Sequence, residues 1–557
     1  MKVGLPGLQY QGYLYMIDYE RHRFGSAGFA DERMLHQAEL YRAKNGLFIG
    51  EDANGRQCYS SQQAAIWLNG GSRSGKGNFI IPWIIDGHFS DHVLLTDYKG
   101  QNGSIAQMQV PQGRHVINFM PRGDRPVQAH RINPVSYIRS DSPTLFSDTK
   151  RFTLNWLPSS GGKDSYFQET GQRWIEAVGI TRTRIAGELT LPRLADDMAR
   201  FGTLHDEWLA LEEHMASMAE PSIQQVVSEI QQMREGGSGD SGGFVGVKSD
   251  IAKSFACMSD PQLRAAVSPP FDFCFSELTM PGAPPYLVSI MEAMDKAESS
   301  APVIKSLYTS ALTYKMRSVG TSRDQFWLLD ECAHSGRWPL AVTLASQTTG
   351  YGIRPAFVTQ SRAQLDYLAP NASSIIPSNC GTQIFMGVRD YDEAKRVSDM
   401  LGTQTIEHED FLTNENARLA NEQAMMRVLN ENADPFQAGV EMAQNEAKMV
   451  HKVKVPRLVL TPAEVLGLPN GTAIVAMPGT LEHPAFMRHR NYWQRRDLAG
   501  RYLADPFHPT AKGDVQVQIS FGKQYRRVIR EQVPPELSHL PQYQDGTWSY
   551  VEGYRPI

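Results

Sequence analysis

The sequence predicts an α/β fold in which a doubly wound, mainly parallel sheet is interrupted by an inserted all-α domain. Short apolar runs alternate with helical patterns, as in parallel strands that are covered on both faces. One long internal stretch, residues 164–260, instead shows helical periodicity and no strand pattern. We therefore expect the sheet to be assembled from segments on both sides of that stretch.

Seven apolar runs are predicted to be buried parallel strands, because they are short and rich in aliphatic and β-branched residues. They are Ala64–Asn69, His92–Thr96, Tyr286–Ile290, Gln325–Leu329, Pro355–Thr359, Gln383–Gly387 and Thr472–Ala476.

Within the insert, helical periodicity is strongest over Tyr166–Ala186, Thr203–Met218 and Ser222–Arg234, and Gly236–Gly243 is predicted to be a flexible loop. A second helical stretch, Asn414–Val450, is rich in Asn, Glu, Ala and Met. For this stretch we favour a solvated helical excursion or a partly ordered loop; the alternative is a surface that binds a partner.

The amino-acid composition limits the classes of function that this protein can have. A chain of 557 residues with 41% hydrophobic and 21% charged residues is an ordinary globular protein of two to four domains. Its formal net charge of -5 excludes a protein-wide basic field for nucleic acid, so DNA would have to meet a local patch or an assembled ring. The five cysteines form no CxxC pair, which fits a reducing cytosol. No apolar run reaches membrane-helix length, and no signal pattern is expected over Met1–Glu20.

The first functional motif is a glycine-rich loop that follows the predicted strand Ala64–Asn69 and matches GxxxxGK. In such a P-loop, backbone N–H groups surround phosphate oxygens, and the lysine neutralises the β and γ phosphates. The alternative is a plain glycine turn with an exposed lysine. The predicted nucleotide ligands are Gly70, Ser72, Arg73, Ser74, Gly75, Lys76, Gly77 and Asn78. The loop departs from the usual pattern at Gly77, where a Ser or Thr hydroxyl would normally bind Mg²⁺.

The second motif is the apolar run Phe326–Leu329 followed by Asp330 and Glu331, a Walker B pattern. Asp330 is predicted to hold Mg²⁺, and Glu331 is predicted to be the catalytic group that polarises the attacking water. The alternative is that the two acids only cap a helix.

Polar residues follow two further predicted strands. Gln360, after Pro355–Thr359, is predicted to sense the γ-phosphate or position water; the alternative is a polar loop start. Thr96–Gly100 either lies beside the nucleotide or is a structural turn. Because the carboxyl ends of parallel strands share one edge of an open α/β sheet, these motifs are expected to meet there. The stretch Met487–Arg501 mixes arginines with two aromatic residues, so it is either a basic face or a nucleic-acid contact.

These motifs together resemble the TraG/TraD-type coupling proteins of type IV secretion and conjugation. The resemblance covers roughly residues 25–500. It is carried by GGSRSGKGNFIIPWII, LLTDYKGQNGSIA, FWLLDECAHSGRWP, GYGIRPAFVTQSRAQLDYL, SNCGTQIFMGVRDYDEAKRVSDMLG, RLVLTPAEVLGLPNGTAIVAMPG and GSAGFADERMLHQAEL. Two positions depart from the family pattern: Tyr98 stands for a proline, and Gln101 stands for an acid.

The resemblance implies a RecA-like P-loop fold that binds and hydrolyses ATP with Mg²⁺. It also implies a homo-hexameric ring that moves DNA–relaxase complexes or protein effectors into a type IV secretion channel. Members of the family usually carry N-terminal membrane helices, and this sequence shows none. Either a separate membrane-anchor subunit is a further partner, or this is a naturally soluble branch of the family or a shortened form. The expected location is the cytoplasmic face of the membrane, reached through partners. The expected domains are an N-terminal segment (1–60), two parts of the nucleotide-binding domain (61–163 and 261–502, with the excursion 414–450), the all-α insert (164–260) and a C-terminal tail (503–557).

Two other functions remain open from the sequence. One is a RecA-, FtsK- or HerA-like DNA pump for segregation or packaging. The other is a docking platform that does not hydrolyse nucleotide. Arg354, Arg362 and Arg389 are the candidates for an arginine finger that would complete a neighbour's site.

Overall fold

The structure is a computed structural model of the chain. It describes residues 22–86, 91–107, 113–123, 127–159, 165–235, 241–430, 434–449, 452–498, 501–503, 505–507, 514–519, 522–535, 538 and 546–552. The chain divides into two compact units. The larger comprises His36–Gly387, Asn470–Gly479 and Met487–Ile557, and the smaller comprises Met1–Leu35, Val388–Pro469 and Thr480–Phe486.

Sixteen strands lie in the described residues. In chain order they are β1 (Leu47–Glu51), β2 (Gln57–Ser60), β3 (Ala65–Gly70), β4 (His92–Asp97), β5 (His115–Phe119), β6 (Tyr286–Met291), β7 (Gln325–Asp330), β8 (Ile353–Thr359), β9 (Cys380–Met386), β10 (Thr403–Glu409), β11 (Lys452–Leu458), β12 (Thr472–Ala476), β13 (Ala485–Arg488), β14 (Asp514–Ile519), β15 (Gly522–Gln532) and β16 (Thr547–Val551).

The larger unit is organised around one eleven-stranded sheet, in the order β2-β1-β13-β12-β9-β3-β8-β7-β4-β6-β5. From β9 to β5 the neighbouring strands pair in parallel. Every residue of β3, β4, β6 and β8 is buried, as expected for strands covered on both faces. This architecture confirms the predicted α/β fold with a mainly parallel sheet.

All seven predicted strands are present, and one of them runs in the opposite direction to the prediction. Thr472–Ala476 pairs antiparallel with β9. Burial on both faces makes a strand apolar whichever way it runs, so its sequence does not reveal its direction. In the large sheet, β1, β2, β5 and β13 were not predicted, and these strands are four or five residues long. Outside that sheet, β10, β11, β14, β15 and β16 were not predicted either.

Seventeen α-helices lie in the described residues. They are α1 (Glu32–Gln37), α2 (Gly77–Ile85), α3 (Gln101–Ile105), α4 (Leu145–Trp156), α5 (Ser165–Ala186), α6 (Leu191–Ala199), α7 (Asp206–Ser217), α8 (Pro221–Glu235), α9 (Ser241–Phe255), α10 (Pro261–Ala266), α11 (Ala297–Arg317), α12 (Leu340–Gln347), α13 (Ala372–Ser378), α14 (Tyr391–Leu401), α15 (Phe411–Asn430), α16 (Pro435–Met449) and α17 (Pro462–Leu466).

Helices α5 to α9 occupy the stretch that was predicted to be all-α. Their core includes Trp174, which stacks on Phe201 with ring centroids 4.9 Å apart. The prediction of a loop over Gly236–Gly243 is wrong from Ser241 onward, because α9 begins at that residue. Residues 236–240 lie outside the described residues. Among the residues that the structure describes, no helix is long and apolar enough to span a membrane.

The smaller unit contains an antiparallel pair, β10 and β11, and the helical hairpin of α15 and α16 lies between these strands in the chain. Pro435 begins α16, which suits a residue with no N–H to donate to a preceding turn. Arg427 and Glu441 pair across the hairpin at 2.9 Å. Asn414–Val450 was predicted to be a helical excursion or a partly ordered loop. Its described residues lie in α15 and α16 except Asp434, and residues 431–433 and 450 lie outside the described residues.

Arg122, just after β5, joins the end of the helical stretch to the sheet. Its guanidinium donates to Asp260 Oδ2 at 2.6 Å, to Ser300 Oγ at 3.2 Å and to the Glu292 carboxylate. Only 7% of the Arg122 side chain and 2% of the Glu292 side chain are exposed. Loss of the guanidinium would therefore leave a buried carboxylate without its cation.

We predict that Arg122→Ala lowers the free energy of unfolding by about 3–5 kcal/mol, the usual cost of breaking a buried ion pair from one side. Arg139→Ala is the control, because the Arg139–Asp141 pair is exposed and should contribute no more than about 1 kcal/mol. Urea denaturation followed by tryptophan fluorescence compares the two variants. Equal losses in both would show that the Arg122 cluster has no special stabilising role.

Candidate nucleotide-binding site

The glycine loop leaves the carboxyl end of β3 and turns back on itself before α2. Gly75 adopts a left-handed conformation with φ 92°, which a side chain would strain. A Cβ on Gly70 would lie 2.8 Å from Ser74 Oγ, so only glycine fits there. Lys76 Nζ donates to the Gly70 carbonyl oxygen at 3.1 Å, which places the ammonium across the loop.

A second glycine, outside the loop, shapes it from the neighbouring strand. Gly387 follows β9 and has φ 52°. A Cβ at this position would lie 2.6 Å from Ser74 Cβ, well inside van der Waals contact. From the sequence, Gly387 was only the last residue of a predicted strand and part of a run that resembles the coupling-protein family. Its contact with residue 74 could not be predicted, because it depends on the pairing of β3 with β9.

Asp330 ends β7 close to the loop. Its Oδ2 accepts a hydrogen bond from Asn102 Nδ2 at 2.9 Å, and its buried Oδ1 has no hydrogen-bond partner among the described residues. Burial raises the pKa of the Asp330 carboxyl to about 7, and the charges of Asp97 and Glu331 add to that effect against those of Lys76 and Lys99. This carboxyl therefore binds a proton more readily than an exposed aspartate does.

Glu331 is held in place from two sides. Lys99 Nζ donates to its Oε1 at 2.9 Å, and Gln360 Nε2 donates to the same oxygen at 3.3 Å. Its backbone has φ 50°, an uncommon value for a residue with a side chain and one that often marks functional sites. Burial is the largest influence and would raise the pKa of Glu331, but the hydrogen bond and charge of Lys99, together with the charge of Lys76, outweigh it and lower that pKa. Glu331 is thus a carboxylate at neutral pH.

The side chain of Asp97 hydrogen-bonds the backbone of the turn that follows β4. Its carboxylate accepts from the backbone N–H of Lys99 at 3.1 Å and of Gly103 at 2.9 Å. These bonds favour the structural interpretation of Asp97 itself. The next residues nevertheless reach the site, since Lys99 contacts Glu331, and Gln101 Nε2 donates to Asp505 Oδ2 at 2.6 Å.

One pocket of about 970 Å³ gathers most of the predicted site residues, a volume suited to a small-molecule ligand. The predicted residues that line it are Ser72, Arg73, Ser74, Gly75, Lys76, Gly77, Asn78, Asp330 and Glu331. Gly70 and Gln360 do not line it, but each hydrogen-bonds a residue that does. The pocket wall also includes Asn102 and Arg122, which were not predicted from the sequence, and Tyr492 and Trp493, which were predicted to belong to a basic face or a nucleic-acid contact.

Asn78 and Arg354 hydrogen-bond other parts of the protein, which does not fit their predicted roles. The Asn78 side chain donates to Asn491 Oδ1 at 3.2 Å and accepts from the Tyr492 N–H at 3.3 Å, so it is committed to that segment. Arg354 is not suited to be an arginine finger. It lies near the amino end of β8, is buried, and donates to the Ser60 carbonyl oxygen at 3.1 Å.

A divalent cation would fit beside Asp330. The unpartnered Oδ1 is a hard oxygen of the kind that Mg²⁺ prefers, and Mg²⁺ commonly takes one or two carboxylates together with phosphates and water. No cluster of three or more His, Cys, Asp or Glu in the described part of the chain forms a dedicated metal cage. Such a cation would therefore need oxygens from a bound phosphate to complete its coordination.

The parallel sheet, the glycine loop at the end of β3 and the acidic pair at the end of β7 define a P-loop protein of the α/β class. The chain belongs to the family described as Type IV secretory system Conjugative DNA transfer, whose model matches residues 20–429. This match confirms the family resemblance drawn from the sequence motifs.

Solved structures share the fold. The bacterial conjugative coupling protein TrwBΔN70, in a trigonal form with sulphate, is 15% identical over 84% of this chain and 94% of its own, with a TM-score of 0.56. The plasmid coupling protein TrwB in complex with ADP and Mg²⁺ is 14% identical over 83% and 93%, with a TM-score of 0.55. TrwB with the non-hydrolysable ATP analogue ADPNP is 14% identical over 83% and 93%, with a TM-score of 0.56. No match was found among curated proteins.

We predict that Gly77→Ser is accommodated by the fold and lowers the Mg²⁺ concentration needed for nucleotide binding. No described atom outside the neighbouring residues lies within 4 Å of the position that a Cβ would take, and the backbone there is helical. The new hydroxyl would supply the oxygen that most P-loops place after the lysine. Thermal melting checks the fold, and Mg²⁺ titrations at fixed ADP measure the requirement. A variant with a normal melting temperature and a raised Mg²⁺ requirement would contradict this prediction.

Proposed function

We propose that this protein binds ATP with Mg²⁺ and hydrolyses it. The observation that supports the proposal most is the convergence of Lys76, Asp330 and Glu331 on a single pocket, from two strands far apart in the sequence. A phosphate-binding cation, a metal-binding oxygen and an ionised carboxylate are the groups that phosphoanhydride hydrolysis requires. Related TrwB structures with ADP and Mg²⁺ and with ADPNP support the choice of ligands.

Each group has a separate role in the proposed reaction. Lys76 and the loop N–H groups bind the β and γ phosphates, and Asp330 holds the cation, which neutralises phosphate charge when bound. Glu331 orients water and accepts a proton from it as the water oxygen forms a bond to the γ phosphorus and the β–γ bridging bond breaks. Gln360, through its hydrogen bond to Glu331, positions that carboxylate. Lys99 keeps it ionised.

We also propose that hydrolysis drives conjugative transfer in a homo-hexameric ring. The cargo would be DNA bound to a relaxase, or protein effectors, delivered to a type IV secretion channel at the cytoplasmic face of the membrane, where a separate subunit would anchor the ring. The family supports the process. The helical stretch 164–260 is the proposed cargo receiver: Arg122 pairs with Asp260 at its end and with Glu292 in the wall of the nucleotide pocket, which gives a direct physical connection between the two.

Two substitutions test the proposed ATPase. Lys76→Ala removes the phosphate counter-charge and should abolish both ATP binding and turnover. Glu331→Gln preserves shape but loses the proton acceptor, so it should bind ATP and turn over roughly a hundredfold more slowly or worse. Steady-state phosphate release and nucleotide binding are measured on the same preparations, with and without single-stranded DNA, since ring assembly on DNA is expected to stimulate turnover.

Matched controls are available on exposed surfaces. Lys395→Ala and Glu298→Gln change the same residue types away from the pocket and should leave both measurements unchanged. Full turnover by Glu331→Gln would remove Glu331 from the catalytic role. Binding of ATP by the wild-type protein without any phosphate release, with DNA present, would favour the docking platform.

A further inference from the structure

A segment near the end of the chain forms one wall of the nucleotide pocket. Asn491, Tyr492, Trp493, Asp505 and Phe507 all line it. The family model ends at residue 429, so this wall lies outside the matched region. The segment includes part of the aromatic and basic stretch Met487–Arg501, for which the sequence analysis left two interpretations open.

The wall is attached to the first turn of α2. The Asn78 amide donates to Asn491 Oδ1 at 3.2 Å, its oxygen accepts from the Tyr492 N–H at 3.3 Å, and its nitrogen lies 3.1 Å from His489 Nδ1. Asn78 is buried and sits two residues after Lys76. The position of the wall is therefore fixed relative to the phosphate-binding loop.

The aromatic residues of the wall differ in exposure. Tyr492 is buried, and its ring meets those of Trp493 and Tyr502 edge to face, with centroids 4.9 Å and 5.2 Å away. Trp493 keeps 36% of its surface exposed and Phe507 keeps 45%. Tyr492 thus serves as an internal support, whereas Trp493 and Phe507 present accessible ring surface at the pocket.

We infer that Trp493 and Phe507 form the subsite for the purine base of the bound nucleotide, an assignment that rests on the proposed function. The phosphates lie on the loop at Gly75 and Lys76, so the base must lie elsewhere along the same pocket. Its flat, apolar faces match an exposed indole, and base–aromatic stacking tolerates any base because each has a π face. The lining around Lys99 and Asp330 is charged and suits phosphate and metal.

The experiment separates the base from the phosphates. Calorimetry measures the affinities of wild-type, Trp493→Ala, Trp493→Phe and Phe507→Ala proteins for MgADP and for magnesium tripolyphosphate, which has phosphates but no base. Loss of stacking should weaken ADP binding by Trp493→Ala roughly five- to a hundredfold and leave tripolyphosphate within about twofold. Trp493→Phe keeps a ring and should retain most of the ADP affinity. Tyr367→Ala, an exposed aromatic residue outside the pocket, is the control.

Three results would overturn the inference. Equal losses for ADP and tripolyphosphate in Trp493→Ala would assign Trp493 a purely structural role. Unchanged ADP affinity in both Trp493→Ala and Phe507→Ala would place the base elsewhere, and the proposed ATPase would stand. Failure of the wild-type protein to bind either compound would reject the proposed function together with the subsite.

Discussion

Two lysines and two carboxylates share one edge of the parallel sheet, and the site depends on how their charges compensate. Asp330 and Glu331 are consecutive, and their mutual repulsion is aggravated by burial. Lys99 bonds directly to one oxygen of Glu331 and keeps this residue ionised, whereas the hydrogen-bond partner of Asp330 is the neutral amide of Asn102; each carboxyl also has one buried oxygen without a hydrogen-bond partner among the described residues. As a result, Glu331 is ionised at neutral pH, whereas Asp330 binds a proton more readily. In the proposed reaction Glu331 is already ionised when it orients water, and Asp330 has to lose its proton before it holds the cation.

Close packing of backbones makes that edge possible. β3 lies between β8 and β9, and the loop after β3 turns beneath Gly387 with no space for a side chain. Lys76 is partly desolvated in this position, and its pKa is lowered by burial despite the neighbouring acids. A bound polyphosphate would supply a negative counter-charge beside the buried Lys76 ammonium. The fold therefore holds a cationic loop in a state that favours an anionic ligand.

The sequence predicted those parts of the molecule whose signal is local. Long apolar strands, the P-loop and the acidic pair each carry their pattern within about ten residues, and parallel topology then brings their ends together. The short strand β13, the antiparallel direction of β12 and the contact between Gly387 and Ser74 depend on partners distant in the chain. Arg354 was misjudged for the same reason: its position near the amino end of β8 follows from strand bounds, but its burial against Ser60 follows only from packing. The aromatic wall is the extreme case, since Asn78 and Asn491 are 413 residues apart.

The most direct test of this account is the proton balance of metal-nucleotide binding. MgADP binding is measured by calorimetry in buffers of different ionisation enthalpy between about pH 6 and pH 8. Because burial raises the pKa of Asp330 to about 7 and metal coordination needs the ionised form, binding should release protons near neutral pH, with more released at pH 6 than at pH 8. Asp330→Asn should remove this pH-dependent release. Release that persists unchanged in Asp330→Asn would contradict the assignment of Asp330 as the metal ligand, and release that is absent at every pH would contradict the raised pKa of its carboxyl.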